Sequence, residues 1–435
     1  MLRNFALLFS FCLVAVAHGA YYVGSGASYM DVPVGVPLGG YGGAKRRSLF
    51  KKFKYAKGFK PSTGYKDSLR SKAFLLEDKS RAKSLVVISS DLIGIHSYVV
   101  EDLRNRLKAK GLRNLELVVT ATHTHSGPAT LSKQRFWQVI AMDRYKDVVY
   151  QWILDSMERA VLRAYNARRE ARLKTMTFSA AGLTKNRRDG ETLVDDQVRV
   201  IFAEDLKGKI LGVLLNFAIH GTAWGASNLE FSHDVPGAIE NAIEKELLKI
   251  SPLHRPKVLH LNASLGDVKP IKGKDEGMKM ISSSMKTRFM AALSTSRVMM
   301  PNWSFKSSEV VLGKAKMKAK ACDLSPLLLF GPFAYLNSLV KKAFPKKISI
   351  RALIWGDMAI MLWPGEPTSD LGLKAMAGIK LKYPQSMVVS LSDDHFGYFM
   401  TKDQYKNGGY EACMSPYGVV DGGDKVREAF ISLLR

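Results

Sequence analysis

The sequence predicts a mixed α/β fold, because short β-branched runs alternate with helical stripes of apolar residues. Eight apolar runs are predicted as buried strands: residues 84–90, 115–120, 198–203, 210–219, 258–263, 348–355, 358–362 and 387–391. A long helix is predicted over residues 146–169, where apolar side chains recur at helical spacing on one stripe. A shorter helix, carrying Val99, Leu103 and Leu107 on one face, follows the first strand and ends near Gly111.

The composition is that of a globular protein. Of 435 residues, 46% are hydrophobic and 24% are charged, which excludes a disordered or collagen-like chain. The sequence shows no internal repeat and no linker. We therefore expect residues 21–435 to form a single domain.

The N-terminus has the pattern of an export signal. Arg3 precedes a run of thirteen residues that is apolar except for Ser10, and the run ends in a small-residue cleavage site at Ala15 and Ala17. We expect residues 1–20 to be removed and the mature protein to be secreted, or to lie in the periplasm or cell envelope. Later apolar runs are too short to span a membrane. Cys322 and Cys413 remain, and the sequence does not decide whether they pair.

The chain is strongly basic, with 65 Lys and Arg against 39 Asp and Glu and a net charge of +26. Such a surface attracts anionic partners. A stretch from Lys45 to Lys60 (residues 45–60) holds basic and aromatic residues and no acid. It is a candidate contact with an anionic membrane, although its aromatic side chains could equally pack inward beneath a solvated loop.

Histidines follow two of the predicted strands. The strand at 115–120 leads directly into His123 and His125, and residues i and i+2 of an extended chain point the same way. The strand at 210–219 ends at His220. Ligands of open α/β sheets bind beyond the carboxyl ends of strands. These imidazoles can therefore face one pocket.

Acidic and aromatic residues follow three further strands: Asp267, Glu366, Asp393, Asp394, His395 and Tyr398. Imidazole and carboxylate ligands that come from several strand ends indicate a zinc site with an open position, which is the catalytic kind. A histidine at a strand end can also be purely structural, and spacing alone leaves both interpretations open.

Motifs along most of the chain resemble those of the neutral/alkaline ceramidases, zinc amidohydrolases that cleave the N-acyl bond of ceramide. They occur in the family's order: VPVGVPLGGYGG (32–43), GYKDSLRSKAFLLED (64–78), THTHSGPA (122–129), NRR (186–188), NFAIHGTAWG (216–225), GDV (266–268), WPGEPT (363–368) and GYFMTKDQYKNGGYE (397–411). The resemblance implies the family's layered β-sheets surrounded by helices.

The resemblance also implies a ligand set for zinc, consisting of His123, His220, Glu366 and Tyr398. Tyrosine is an unusual zinc ligand, because its phenol has a pKa of about 10 and must bind as phenolate. We expect His125 to lie beside the metal as a proton shuttle or substrate contact.

The family's catalytic donors map onto Arg187 and Tyr410, which would orient the scissile carbonyl and its developing oxyanion. Asp267 is a further candidate catalytic residue, but it could instead hydrogen-bond the backbone of a turn. His233 and Asp234 are expected to support the site from behind. His96, His254, His260 and His395 are left without a predicted role.

The chain departs from the family at Lys269, where the resemblance calls for the serine of Gly-Asp-Val-Ser-Pro. Lysine cannot form the same acyl ester, so the resemblance here implies direct attack by a metal-activated water. The chain also ends soon after the last motif, and we expect the family's C-terminal immunoglobulin-like domain to be missing.

We therefore expect an exported Zn²⁺-dependent amidohydrolase acting on ceramide or a related N-acyl lipid, with lipid and anionic membrane rather than nucleic acid as partners. One alternative is a zinc hydrolase of the same fold with another amide or ester substrate. Another is a catalytically silent, basic membrane- or envelope-binding protein. The sequence does not indicate the oligomeric state.

Overall fold

The computed structural model describes residues 21–48, 53–300, 302–318 and 332–435. The predicted export signal and Cys322 lie outside these residues. The strands in the described part of the chain are β1 (Tyr21–Tyr29), β2 (Gly64–Tyr65), β3 (Arg70–Asp78), β4 (Lys83–Ser90), β5 (Leu115–Ala121), β6 (Arg169–Ser179), β7 (Thr184–Asn186), β8 (Gln197–Asp205), β9 (Ile210–Phe217), β10 (Glu230–Phe231), β11 (Lys257–Asn262), β12 (Val268–Pro270), β13 (Arg297–Met299), β14 (Trp303–Val311), β15 (Lys347–Trp355), β16 (Met358–Leu362), β17 (Glu366–Pro367), β18 (Gln385–Val389) and β19 (Tyr398–Phe399).

Helices flank these strands. They are α1 (Ser97–Ala109), α2 (Arg135–Trp137), α3 (Asp147–Ala167), α4 (Asp234–Ile250), α5 (Lys274–Ala292), α6 (Pro332–Ala343), α7 (Ser369–Ile379), α8 (Lys402–Lys406), α9 (Tyr410–Cys413) and α10 (Gly422–Leu434). Within the described ranges, none of them combines the length and apolar character that a membrane span requires.

Two sheets stack face to face at the centre of the molecule. The larger has the order β11-β9-β8-β6-β1-β3-β4-β5, with β13 beside β6, and the smaller has the order β14-β15-β16-β18. Phe74 and Leu76 of β3 pack between the sheets against Trp355 of β15 and Ile360 of β16. This apolar layer joins the two sheets into a sandwich.

The other face of each sheet carries helices. Because side chains alternate along a strand, Leu75 of β3 and Ile88 of β4 point away from the sandwich and meet Ile153 and Met157 of α3. The helices α4 and α5 cover β8, β9 and β11 in the same way, and α7 and α10 cover the small sheet. The mixed α/β fold with layered sheets inside helices is therefore confirmed.

Strand directions bring the predicted site together. The pairs β4–β5, β9–β11 and β16–β18 are parallel, so the two carboxyl ends of each pair lie side by side. Hydrogen bonds bring the three pairs of ends together at one edge of the sandwich. Asn262, at the end of β11, links these ends, because its side chain donates to the Thr122 carbonyl at 2.7 Å and its carbonyl accepts from Ser390 N at 2.8 Å. The loops beyond this edge carry the candidate site.

The basic-aromatic stretch is described except at residues 49–52. Arg46 and Phe59 are buried, at 1% and 0% exposure, whereas Lys54 and Lys57 are exposed. Part of the stretch therefore packs inward and part faces solvent. Cys413 is disulfide-bonded.

Candidate metal centre and active site

The loop after β5 presents two histidines. His123 adopts a left-handed backbone conformation with φ of 62°, and its amide donates to the Leu92 carbonyl at 3.0 Å. Its Nδ1 lies 2.6 Å from the carbonyl of Ile93. A ring nitrogen that faces a carbonyl carries the proton, so Nε2 is left with a free lone pair, which is the form that binds metals.

His220, in the loop after β9, is arranged in the same way. Its Nδ1 lies 2.9 Å from the carbonyl of Val268 on β12, and the ring is completely buried. A β-bridge between Thr124 and Gly221 joins this loop to the loop of His123. Both loops therefore present a free Nε2 from a fixed ring.

Glu366 supplies a carboxylate between these two rings. Its Oε2 lies 3.2 Å from His123 Nε2 and 3.3 Å from His220 Nε2. Tetrahedral zinc, with ligand bonds of about 2.0–2.1 Å, separates its ligand atoms by about 3.3–3.4 Å. The three side chains are therefore spaced as ligands of one metal ion.

The cluster of His123, His220 and Glu366 contains buried polar atoms that lack a partner among the described residues. His220 Nε2 and Glu366 Oε2 are both buried and lack a hydrogen-bond partner in the described protein. With both Nδ1 atoms donating to carbonyls, two nitrogen lone pairs face a carboxylate oxygen, and no proton lies between them. A buried arrangement of this kind costs free energy unless a cation completes it. The residues present therefore fit a metal ion.

Burial sets the protonation of the cluster. It lowers the pKa of His220 to about 3 and lowers that of His125 well below its ordinary value. Burial alone would raise the pKa of Glu366, but the imidazoles around the carboxylate outweigh it and hold that pKa well below normal. His125 and His220 are thus neutral and Glu366 is ionised, the forms that coordinate zinc.

His125 lies beside the other two histidines. Its Nε2 is 3.3 Å from His123 Nε2, and nitrogens of His123, His125 and His220 all lie within 4.8 Å of one another. The ring packs against Tyr41, with centroids 4.7 Å apart. Its position allows either coordination or a contact beside the metal.

Tyr398 reaches the centre through strand pairing. Glu366 and Tyr398 are direct neighbours in the parallel pair β17–β19, and the Tyr398 ring stacks on His220 with centroids 6.5 Å apart. The Tyr398 hydroxyl accepts a hydrogen bond from Arg187 Nη2 at 3.0 Å. Burial raises the pKa of Tyr398 well above its usual value, and the neighbouring Arg187 guanidinium does not offset this rise. The phenolate form would therefore need a bound metal ion.

Arg187 lies beside Tyr398, next to the proposed metal ligands. It donates to the Gly266 carbonyl at 2.8 Å and to Glu411 at 2.7 Å, and its guanidinium carbon lies 5.5 Å from the centre of the Tyr410 ring. Tyr410 is 59% exposed and contacts the edge of Tyr398. These two side chains border the open part of the site.

Asp267 faces away from the cluster. One carboxylate oxygen accepts from the amide and hydroxyl of Ser369 at 2.8 and 2.9 Å, and the other accepts from Asn186 at 3.0 Å. The carboxylate therefore joins β7 to the beginning of α7. These contacts favour the structural alternative for Asp267 over direct catalysis.

An apolar cleft of about 590 Å³ leads to the centre. Its lining includes Ile93, Trp137, Ile140, Leu336 and Met414, and His123, His125, Glu366 and Tyr398 are exposed to it. Clefts of this size and polarity accept apolar ligands. A lipid chain fits this description.

Comparison with known proteins places this chain in a family. A family profile described as neutral/alkaline non-lysosomal ceramidase, N-terminal, matches residues 51–303, which is more than half of the chain. The chain belongs to this ceramidase family. The profile includes His123, His125, Arg187, His220 and Asp267 within its matched range.

Individual proteins that are similar to this chain are neutral ceramidases. The chain is 26% identical to a neutral ceramidase of Pseudomonas aeruginosa over 185 residues, and 24% identical to neutral ceramidase B of Dictyostelium discoideum over 210 residues. These alignments cover 38% and 44% of this chain but only 27% and 29% of the relatives. The matched region is thus well under a third of each relative's length.

The crystal structure of the neutral ceramidase from P. aeruginosa shares the fold. It superimposes with a TM-score of 0.78 at 16% identity, covering 95% of this chain and 74% of that one. A structure titled as ceramidase complexed with C2 gives a TM-score of 0.76 at 17% identity. At these identities the likeness establishes the fold alone.

Sequence reasoning assigned no role to His395, although it follows the end of β18. Its Nε2 lies 3.0 Å from Glu366 Oε1, and its ring stacks on Trp137 with centroids 4.5 Å apart. His395 therefore holds the second oxygen of Glu366. In the sequence, the run of Asp393, Asp394 and His395 directly after a strand was the feature that could have indicated this role.

Proposed function

We propose that this chain is a zinc-dependent amidohydrolase that cleaves the N-acyl bond of ceramide or a related N-acyl lipid. The observation that carries the proposal is the convergence of His123 Nε2 and His220 Nε2 on Glu366 Oε2, at 3.2 and 3.3 Å, below an apolar cleft. Membership of the ceramidase family and the similarity to proteins known as neutral ceramidases support the substrate class.

His123, His220, Glu366 and Tyr398 would hold the metal. The chemistry that zinc supplies in such a site is activation of a water molecule as nucleophile and polarisation of a carbonyl. The chain's own residues perform the remaining tasks. His125 lies 3.3 Å from a proposed ligand and on the cleft, so it is placed to move a proton between the water and the leaving amine.

Arg187 and Tyr410 would orient the scissile carbonyl. Tyr410 lines the apolar cleft, and Arg187 donates to the hydroxyl of Tyr398, which also lines it. Both would lie near the carbonyl oxygen, where charge develops during attack. Asp267 would act as a positioning residue, because its carboxylate accepts from Ser369 and Asn186. It fixes the start of α7 and the strand that precedes Arg187.

Water is the proposed nucleophile, because no serine among the described residues lines the cleft. Ser264 is the nearest in sequence, but it is completely buried and packs against Gly372 of α7. It does not line the cleft. Lys269→Ser tests this step, since a serine-dependent reaction would gain ceramide cleavage from the substitution.

The deciding experiment pairs two measurements on purified protein: zinc content by mass spectrometry, and release of fatty acid from a short-chain fluorescent ceramide. We expect one zinc per chain with turnover, and the loss of both in His123→Ala. His254→Ala is the matched control, because His254 also pairs with a carboxylate, Asp205, at 2.9 Å but lies outside the centre.

Other outcomes separate the alternatives. Zinc without fatty-acid release would redirect the assignment to another amide or ester. Absence of both zinc and turnover would refute the enzyme proposal. A binding protein that acts through charge alone would be unaffected by His123→Ala.

We also propose that the protein is exported as a single domain and approaches anionic membranes through the exposed lysines of residues 45–60. Lys45, Lys54, Lys57 and Lys60 face solvent, and Gly43 and Arg47, in the same part of the chain, line the cleft. The basic surface is thus continuous with the cleft entrance. Binding to anionic vesicles should weaken with salt, and salt-independent binding would contradict the proposal.

A further inference from the structure

A second cavity lies on the far side of Tyr410 from the apolar cleft. It has a volume of about 670 Å³, and its lining includes Arg187, Arg188, Lys269, Tyr410 and Glu411. Tyr410 lines both cavities. The two cavities therefore meet at the residues that border the proposed scissile bond, and one is apolar whereas the other is lined by charged side chains.

The two arginines of this second cavity are already neutralised. Glu411 is 3% exposed and pairs with Arg187 at 2.7 Å and with Arg188 at 3.1 Å. Arg188 also pairs with Glu191 at 2.9 Å. These two acids and two arginines form a closed network with no net charge, so the network adds no excess positive charge to the second cavity.

Lys269 is different. Among the described residues no carboxylate lies within ion-pair distance of its ammonium group, and the remaining acid of the lining, Asp189, is exposed and forms no ion pair either. Lys269 is directly opposite Lys185 in the antiparallel pair β7–β12, so both side chains project from the same face. Like charges in opposed positions destabilise a strand pair, and an anion between them would relieve the repulsion.

We propose that the second cavity binds the head group of the substrate and that Lys269 selects lipids whose head group is an oxyanion, such as a phosphate monoester. This inference rests on the proposed function. An N-acyl lipid with its chains in the apolar cleft and its amide beside Arg187 would extend its polar end past Tyr410. There the half-buried ammonium of Lys269 is the available cation.

The test compares two lipids with the same short acyl chain, one with a neutral hydroxyl head group and one with a phosphate. The quantity measured is the ratio of kcat/KM for the phosphate lipid to that for the neutral lipid. We expect Lys269→Gln to lower this ratio about tenfold, which is the loss of about 1.4 kcal/mol of differential binding. Lys272→Gln is the matched control, since Lys272 lies three residues away and pairs with Glu276 outside the cavity.

Direct binding of inorganic phosphate, measured by calorimetry, separates this inference from the proposed function. If neither lipid is cleaved but phosphate binds the wild type and not Lys269→Gln, the proposed function fails and the anion site stands. If the neutral lipid is cleaved while the ratio is unchanged in Lys269→Gln, the anion site is refuted and the proposed function stands. The anion site is also refuted if Lys269→Gln binds phosphate as the wild type does. It is refuted as well if the wild type binds no phosphate.

Discussion

His395 offers a sensitive test of the proposed metal centre, because it contacts a proposed ligand without being one. Its Nε2 lies 3.0 Å from Glu366 Oε1, while Glu366 Oε2 faces His123 and His220. His395→Ala would free the carboxylate to rotate away from its ligand position. The substitution should weaken zinc binding while leaving the ligand set intact.

The magnitude follows from the lost contact. Removing a group that supports a metal ligand costs about 10- to 100-fold in metal affinity, which corresponds to about 1.4 to 2.7 kcal/mol. A hydrogen bond to a charged group contributes about 1.5 to 3 kcal/mol, in the same range. We therefore expect the zinc Kd to rise by one to two orders of magnitude.

The assay is competition for zinc with a chromogenic chelator, carried out on folded protein. His395→Gln should recover part of the affinity, because its amide nitrogen can reach the position of Nε2, whereas the alanine variant also loses stacking on Trp137. His254→Ala should bind zinc as the wild type does. A zinc Kd that is equal in His395→Ala and wild type would refute the positioning of Glu366 by His395.

Three further predictions concern orientation, packing and charge. Arg187→Ala should lower kcat about 10²- to 10³-fold with zinc content unchanged, because it removes a donor at the carbonyl; parallel loss of zinc would contradict this. Gly40→Ala should lower kcat as well, since φ is 102° there and a Cβ would lie 2.5 Å from His125 Nδ1; unaltered turnover would count against His125 as proton carrier. Burial would raise the pKa of Glu244, but Lys72, 2.7 Å away, outweighs burial and that pKa falls to about 2. The lowered pKa contributes about 3 kcal/mol to the free energy of unfolding. This contribution is present above pH 4.5 and is lost as the pH falls toward 2. In chemical denaturation, Glu244→Gln should therefore be less stable than wild type at pH 7 and equal to it near pH 2.

Strands could be predicted where burial is continuous. The run at 84–90 corresponds to β4, and the run at 210–219 corresponds to β9, which ends at Phe217 so that His220 lies in the loop beyond it. The pair β17–β19, with two residues in each strand, leaves no periodicity to detect. Its register nevertheless decides that Glu366 and Tyr398 are neighbours.

The sequence predicted which residues form the site better than it predicted how they are arranged. The i, i+2 argument places His123 and His125 in one pocket, where the structure has them, but it assumes an extended chain. In the structure His123 has a left-handed φ, and the two rings stand at 87° to each other. His395 escaped prediction because its role depends on contacts with Glu366 and Trp137, which are distant in sequence.

The position of Lys269 resolves an apparent conflict with the proposed metal. A cation one residue away from Val268, whose carbonyl holds His220, would repel a bound metal if it shared the same space. Side chains alternate along β12, and Val268 points into the core with Ala218 and Ala263. Lys269 must therefore point the other way, into the second cavity rather than toward the centre. The same alternation that protects the metal site from the ammonium delivers that charge to the place where a head group would lie.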